Sequence, residues 1–159
     1  ITLVNKERTG ERTTQTTFSR DQINYQESRF QWAAKNVPAL ALYFNPLLLH
    51  RIENNPFKLE SREYPVDYSS PFERIYMSRI SIPEGYVEEE IPQAKVIALP
   101  ANAGRFTYSI TQAGNLINIV NSFQINKSIF SQAEYPNLRE FYNQVVAKQT
   151  EQIVLKKKK

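Results

Sequence analysis

Hydrophobic and polar positions alternate along most of this chain with a period of two, and only near the end with the period of a helix. The clearest alternation runs from Arg105 to Ile125. Phe106, Tyr108 and Ile110 fall in one phase, with Thr107 and Ser109 in the other. After a turn at Gln112-Ala113-Gly114-Asn115, Ile117, Ile119, Phe123 and Ile125 return on one face, with Asn118, Ser122 and Gln124 opposite. That is the signature of an antiparallel hairpin with one buried face.

Other segments follow the same rule. Ile1 to Phe18 reads as a hairpin, with an apolar ITLV strand, a turn at Thr9-Gly10-Glu11 and a threonine-rich return. Phe30 and Trp32 share a face at strand spacing before Asn36-Val37-Pro38 breaks the run. Phe72 to Ile82 is a longer strand, with Tyr76, Ile80 and Ile82 in phase, ended by a tight turn at Pro83-Glu84-Gly85. Tyr86 to Ile91 and Ala94 to Leu99 are shorter candidates, and charged Lys58 to Glu63 reads as an exposed edge. Pro65, Pro71, Pro83, Pro92 and Pro100 recur too closely for long helices, because an interior proline costs a helix about 3 kcal/mol.

The period changes after Pro136. Leu138, Phe141, Tyr142, Val145 and Val146 fit one face of a helix over 136–150. Pro136 suits a first turn, where its missing N–H costs nothing. Ser131 and Glu134 also match a capping box, but that start would place Pro136 inside the helix, so the later one is preferred. Ile153-Val154-Leu155 reads as a last apolar turn or a short strand. The pattern predicts an all-β fold: an antiparallel, immunoglobulin-like β-sandwich of seven to nine strands with one C-terminal α-helix.

Charge changes this picture little. The 20 basic residues include Lys156 to Lys159; without these four, 16 basic residues face 16 acidic ones. The net +4 therefore reads as a terminal tail, not the basic face of a nucleic-acid binder. No apolar run reaches the length of a membrane span; Ala39 to Phe44 is the longest. No signal peptide is visible, and the chain opens mid-strand in character, so an upstream portion is expected.

Candidate chemistry is sparse. Cysteine is absent, which removes disulfides, thiolate metal sites and a thiol nucleophile. His50 is the single histidine, and no serine carries nucleophile-elbow glycines. Glu88-Glu89-Glu90 is the densest acidic cluster; a calcium site wants more oxygen ligands from a loop, and a charged edge strand is the plainer reading. Asp67 and Glu73 form a possible carboxylate pair for glycoside hydrolysis, flanked by aromatics as many strand ends are. Asn126-Lys127-Ser128 matches a glycosylation triplet, a short match expected by chance. Neither catalytic residues, metal ligands nor cofactors are assigned. Tyr64, Tyr68, Phe72, Tyr76 and Tyr86 remain as a candidate ligand-binding platform, against the commoner role of such rings as core.

Four spaced motifs carry a resemblance. YFNPLLL (Tyr43 to Leu49), NPFKLESREYPVDY (Asn55 to Tyr68), IPEGYVEEEIP (Ile82 to Pro92) and EYPNLREFYNQVVAKQTEQIVLKK (Glu134 to Lys157) resemble the C-terminal region of exported, transglutaminase-like multidomain proteins of Bacteroidetes. In these, β-domains of unknown function flank a papain-like core. FQWAAKNVPAL (Phe30 to Leu40) looks more like their N-terminal domain. Residues 1–40 then form an N-terminal β segment and 41–159 an accessory β-sandwich; either the family varies at the join near Leu40 to Leu42, or intervening chain separates the two. The core's Cys–His–Asp triad has no counterpart here, so no catalytic residue carries over. The resemblance implies a non-catalytic accessory domain, periplasmic or at the cell surface, whose partner is a transglutaminase-like domain of the same polypeptide. A glycan- or peptide-binding module is the alternative.

Overall fold

A computed structural model describes residues 2–9, 12–17, 41–47 and 50–158. Phe30 and Trp32 lie outside the described residues. Six strands form one antiparallel sheet in the order β2-β1-β5-β9-β8-β7: β1 (Thr2–Thr9), β2 (Arg12–Thr17), β5 (Phe72–Ser81), β7 (Lys95–Ala98), β8 (Gly104–Ala113) and β9 (Leu116–Ile125). A second sheet, β3-β11-β6, joins β3 (Ala41–Phe44), β11 (Ile153–Lys157) and β6 (Tyr86–Glu90). Two-residue strands β4 (Val66–Asp67) and β10 (Ile129–Phe130) pair separately. These two short strands take the strands among the described residues to eleven, beyond the expected seven to nine. Helix α1 (Tyr135–Gln149) packs with the sheets around one core, so the fold is an all-β sandwich with a C-terminal helix. Among the described residues no helix is long and apolar enough to cross a membrane.

Alternation decides which face is buried. On β9, Ile117, Ile119, Phe123 and Ile125 are inside, while Val120 on the other face is partly exposed. Strands β8 and β9 close through Gly114-Asn115, with Gly114 at φ 61°, a conformation that suits a residue without Cβ. On α1, Leu138, Phe141, Tyr142 and Val145 are buried and Val146 is half-buried. Burying each such side chain contributes about 1.5–3 kcal/mol.

Three local readings need correction. The helix starts at Tyr135, one residue before Pro136, which occupies the first turn. Ser131 and Glu134 do bond to each other: the Glu134 carboxylate accepts from the Ser131 N–H and hydroxyl at 2.9 and 2.8 Å. They close a turn of their own ahead of the helix, where the Tyr135 N–H also reaches the Ser131 carbonyl at 3.1 Å. Lys58 to Glu63 is an exposed loop with no strand pairing. The lysine run is not all tail. Lys156 and Lys157 belong to β11, which lies in the middle of its sheet, and Lys156 Nζ meets Glu89 at 3.3 Å.

Candidate functional site

The five candidate aromatics do not gather into one exposed row. Tyr76 and Tyr86 are buried, Tyr68 and Phe72 are half-buried, and only Tyr64 stands in solvent, at 74% exposure. Tyr68 and Phe72 do meet, at 5.6 Å between centroids, but within an aromatic cluster. Phe72 stacks on Phe123 at 5.9 Å, Tyr68 abuts Phe130 edge-on, and Tyr142 abuts Phe123. The Tyr68 hydroxyl donates to the Tyr142 oxygen at 3.1 Å. Burial, followed by the neighbouring Tyr142, raises the Tyr68 pKa, so this pair stays as neutral phenols.

The sheet register builds a polar layer inside the fold that single-strand patterns do not reveal. Tyr76, Asn121 and Tyr108 are cross-strand neighbours on the inner face. Asn121 is 5% exposed. It sits in phase with Ile119 and Phe123, and that polar interruption of a buried row was the available signal. The last turn of α1 covers this row with Lys148 and Gln149, which are three and four residues beyond Val145 and so continue its buried face. Gln149 links three segments. Its Nε2 donates to Asn121 Oδ1 at 3.4 Å, its Oε1 accepts from the Ile52 N–H at 2.6 Å, and its carbonyl accepts from Asn45 Nδ2 at 2.6 Å. Lys148 Nζ donates to Glu151 and lies 5.1 Å over the Tyr108 ring.

His50 belongs to the same layer, stacked on Tyr76 at 5.0 Å between centroids. Burial lowers its pKa below the ordinary 6.5, so the folded protein favours neutral imidazole. Burial likewise pushes the Tyr76 phenol up to about 12, and its Oη finds no hydrogen-bond partner among the described residues. The layer is thus suited to tying Asn45, His50 and Ile52 to helix and sheet. Linkage gives a test. The unfolded chain takes up the His50 proton near pH 6.5 and the folded chain takes it up only lower, so stability falls as pH drops below that value. The melting temperature is expected to decline from about pH 7.5 to about pH 5. His50→Gln should flatten that decline, and an identical profile in the variant would exclude this origin.

The remaining candidates are placed as follows. Glu88, Glu89 and Glu90 are exposed on β6, an edge strand, where a bulge leaves Glu89 without a Cα partner and free to meet Lys156. Asp67 Oδ1 accepts from the Ser69 N–H at 2.6 Å, holding a turn with Ser69 at φ 64°. Asn126 Nδ2 donates to the Asn102 carbonyl at 2.7 Å, so its amide is engaged in the fold. Among the described residues no three His, Asp or Glu side chains converge as metal ligands.

Residues 40–155 match the profile of DUF3858, a domain family of unknown function with a solved structure. No curated protein matches the sequence. A crystal structure of a candidate protease from Parabacteroides distasonis ATCC 8503 shares the fold, with a TM-score of 0.61 and 20% identity. The likeness covers 77% of this chain and 25% of that one, so this chain spans about a quarter of the neighbour's length.

Proposed function

The chain belongs to the DUF3858 family, and from that premise we propose that it is a non-catalytic accessory domain, its body at 41–159 and its large sheet extended by β1 and β2, that packs against a transglutaminase-like, papain-fold core of the same polypeptide. The observation that carries this reading is that the fold recurs as a quarter of a longer chain named as a candidate protease. The interior is compatible with it. The single histidine is half-buried and stacked on Tyr76, and the candidate aromatics other than Tyr64 pack against other side chains. An exported location, periplasmic or at the cell surface, goes with this reading and is checked by cell fractionation.

The test compares the 159-residue chain alone with the polypeptide that carries it. The chain alone is expected to show neither peptide hydrolysis nor amine transfer to glutamine side chains. Deleting it from the polypeptide is expected to lower the core's melting temperature or raise its KM. Hydrolase or transamidase activity in the chain alone, abolished by His50→Ala, would overturn the proposal.

A further inference from the structure

We propose that the cleft at one end of the large sheet's outer face is a binding site for a neutral saccharide. It is an open cleft of about 240 Å³, lined by Arg8 of β1, Pro71 to Glu73 at the start of β5, and Gln124 to Asn126 at the end of β9. The inference is independent of the accessory reading, since it concerns a different surface and a different class of ligand.

The register explains why these side chains converge. Arg8 is the cross-strand partner of Glu73, Glu73 of Gln124, and Gln124 of Arg105. A guanidinium, a carboxylate, an amide and a second guanidinium therefore stand in one row on one face. Adjacent strands lie about 4.8 Å apart, so the row from Arg8 to Gln124 spans roughly 10 Å, about the width of a sugar ring with its hydroxyls. Ligand pockets for drug-sized molecules usually start near 300 Å³, and this smaller cleft fits a ring-sized group.

Backbone strain concentrates around the same end. Ser69, Ala101 and Asn102 are the non-glycine residues with positive φ among the described residues. Ser69 stands two residues before Pro71. Asn126 is held by the strained turn itself: its N–H donates to the Ala103 carbonyl at 2.8 Å and its Nδ2 to that of Asn102 at 2.7 Å. Strained backbone persists where surrounding structure over-determines it, and it gathers at ligand sites.

The chemistry of the row selects the ligand. Arg8 and Glu73 carry opposite charges at neighbouring positions and Arg105 stands outside the cleft's lining, so the site suits an uncharged molecule. Carboxylate and guanidinium groups each engage paired hydroxyls, the Gln124 amide offers both donors and an acceptor, and Asn126, whose Nδ2 is held by Asn102, adds its Oδ1 as an acceptor. Sugar hydroxyls do both as well. Pro71 supplies an apolar wall for ring C–H groups. An extended peptide would seek a free sheet edge, but β1, β5 and β9 are each paired on both sides.

The experiment titrates the isotope-labelled 159-residue chain with maltotriose, cellotriose and tri-N-acetylchitotriose, beside trigalacturonate and tetra-alanine. One neutral trisaccharide at millimolar concentration is expected to shift the backbone amides of Glu73, Gln124 and Asn126. Glu73→Ala and Gln124→Ala are each expected to weaken that binding about tenfold or more with an unchanged melting temperature. Asn118→Ala, on the same face away from the cleft, should bind as the parent does. Silence with all three neutral sugars, shifts mapping elsewhere, or a preference for the acidic sugar or the peptide would each overturn the proposal.

Discussion

Phe141→Asp is expected to abolish cooperative folding. Phe141 is 3% exposed and packs its ring against Phe123 at 5.6 Å and Tyr142 at 5.9 Å. Removing a buried phenylalanine costs about 3–5 kcal/mol in lost burial and residual cavity. The new carboxylate adds a desolvation cost of several kcal/mol, because aromatic neighbours offer it neither a counter-charge nor a donor on the ring faces. The sum matches the whole stability of a typical domain, about 5–15 kcal/mol. Circular dichroism on heating should show no cooperative transition. Phe141→Leu, which keeps the apolar character, should melt cooperatively within about 1.5 kcal/mol of the parent. A Phe141→Asp protein that melts like the parent would show that this helix face is not held in the core.

Gly104→Ala is expected to have the second largest effect, for a different reason. An added Cβ would sit 2.9 Å from the Gln124 carbonyl oxygen, 2.9 Å from Leu99 Cδ1 and 3.2 Å from Ile125 Cδ1. The leucine tip can turn away, but the Gln124 carbonyl is backbone within the β8–β9 pairing. The two strands must therefore move apart at their shared end, and overpacking of this kind costs about 1–3 kcal/mol. In a chain of this size that lowers the melting temperature by about 2–4 °C per kcal/mol. Gly114→Ala separates the two roles of glycine. Gly114 has open space around its Cβ position but a φ of 61°, so its cost of about 1 kcal/mol comes from conformation alone. A Gly104→Ala protein no less stable than Gly114→Ala would contradict the close approach.

The parts of the fold legible in the sequence are those whose signal is local. The β8–β9 hairpin shows itself because Ile117, Ile119, Phe123 and Ile125 alternate without a break in phase. Helix α1 shows itself through Leu138, Phe141, Tyr142 and Val145. Its start reads one residue late because Pro136 is given the first helical position, which Tyr135 holds, whereas proline is tolerated throughout the first turn. Tyr68 and Phe72 read with three other rings as a candidate platform; the structure brings these two together, and no strand pattern says which rings from elsewhere will cover them. Here Phe123, Phe130 and Tyr142 do so.

The polar layer and the outer cleft lie beyond such reading. Asn121 interrupts an apolar row, and Gln149 ends a helix; separately each looks like a surface residue. Their union depends on β9 and the end of α1 arriving on opposite sides of one space, with Ile52 and Asn45 supplying the remaining partners. Likewise Arg8, Glu73 and Gln124 become a row only when three strands distant in sequence adopt one register.

By itself, then, the sequence determined the β8–β9 hairpin, the antiparallel class and the apolar helix face, because periodicity is written in neighbouring residues. The tertiary structure alone decided that Ile153 to Lys157 would run as the central strand between β3 and β6. It alone decided which polar groups would meet inside and which outside. Those outcomes depend on strand order and register, which are set by the joint packing of segments far apart in the chain.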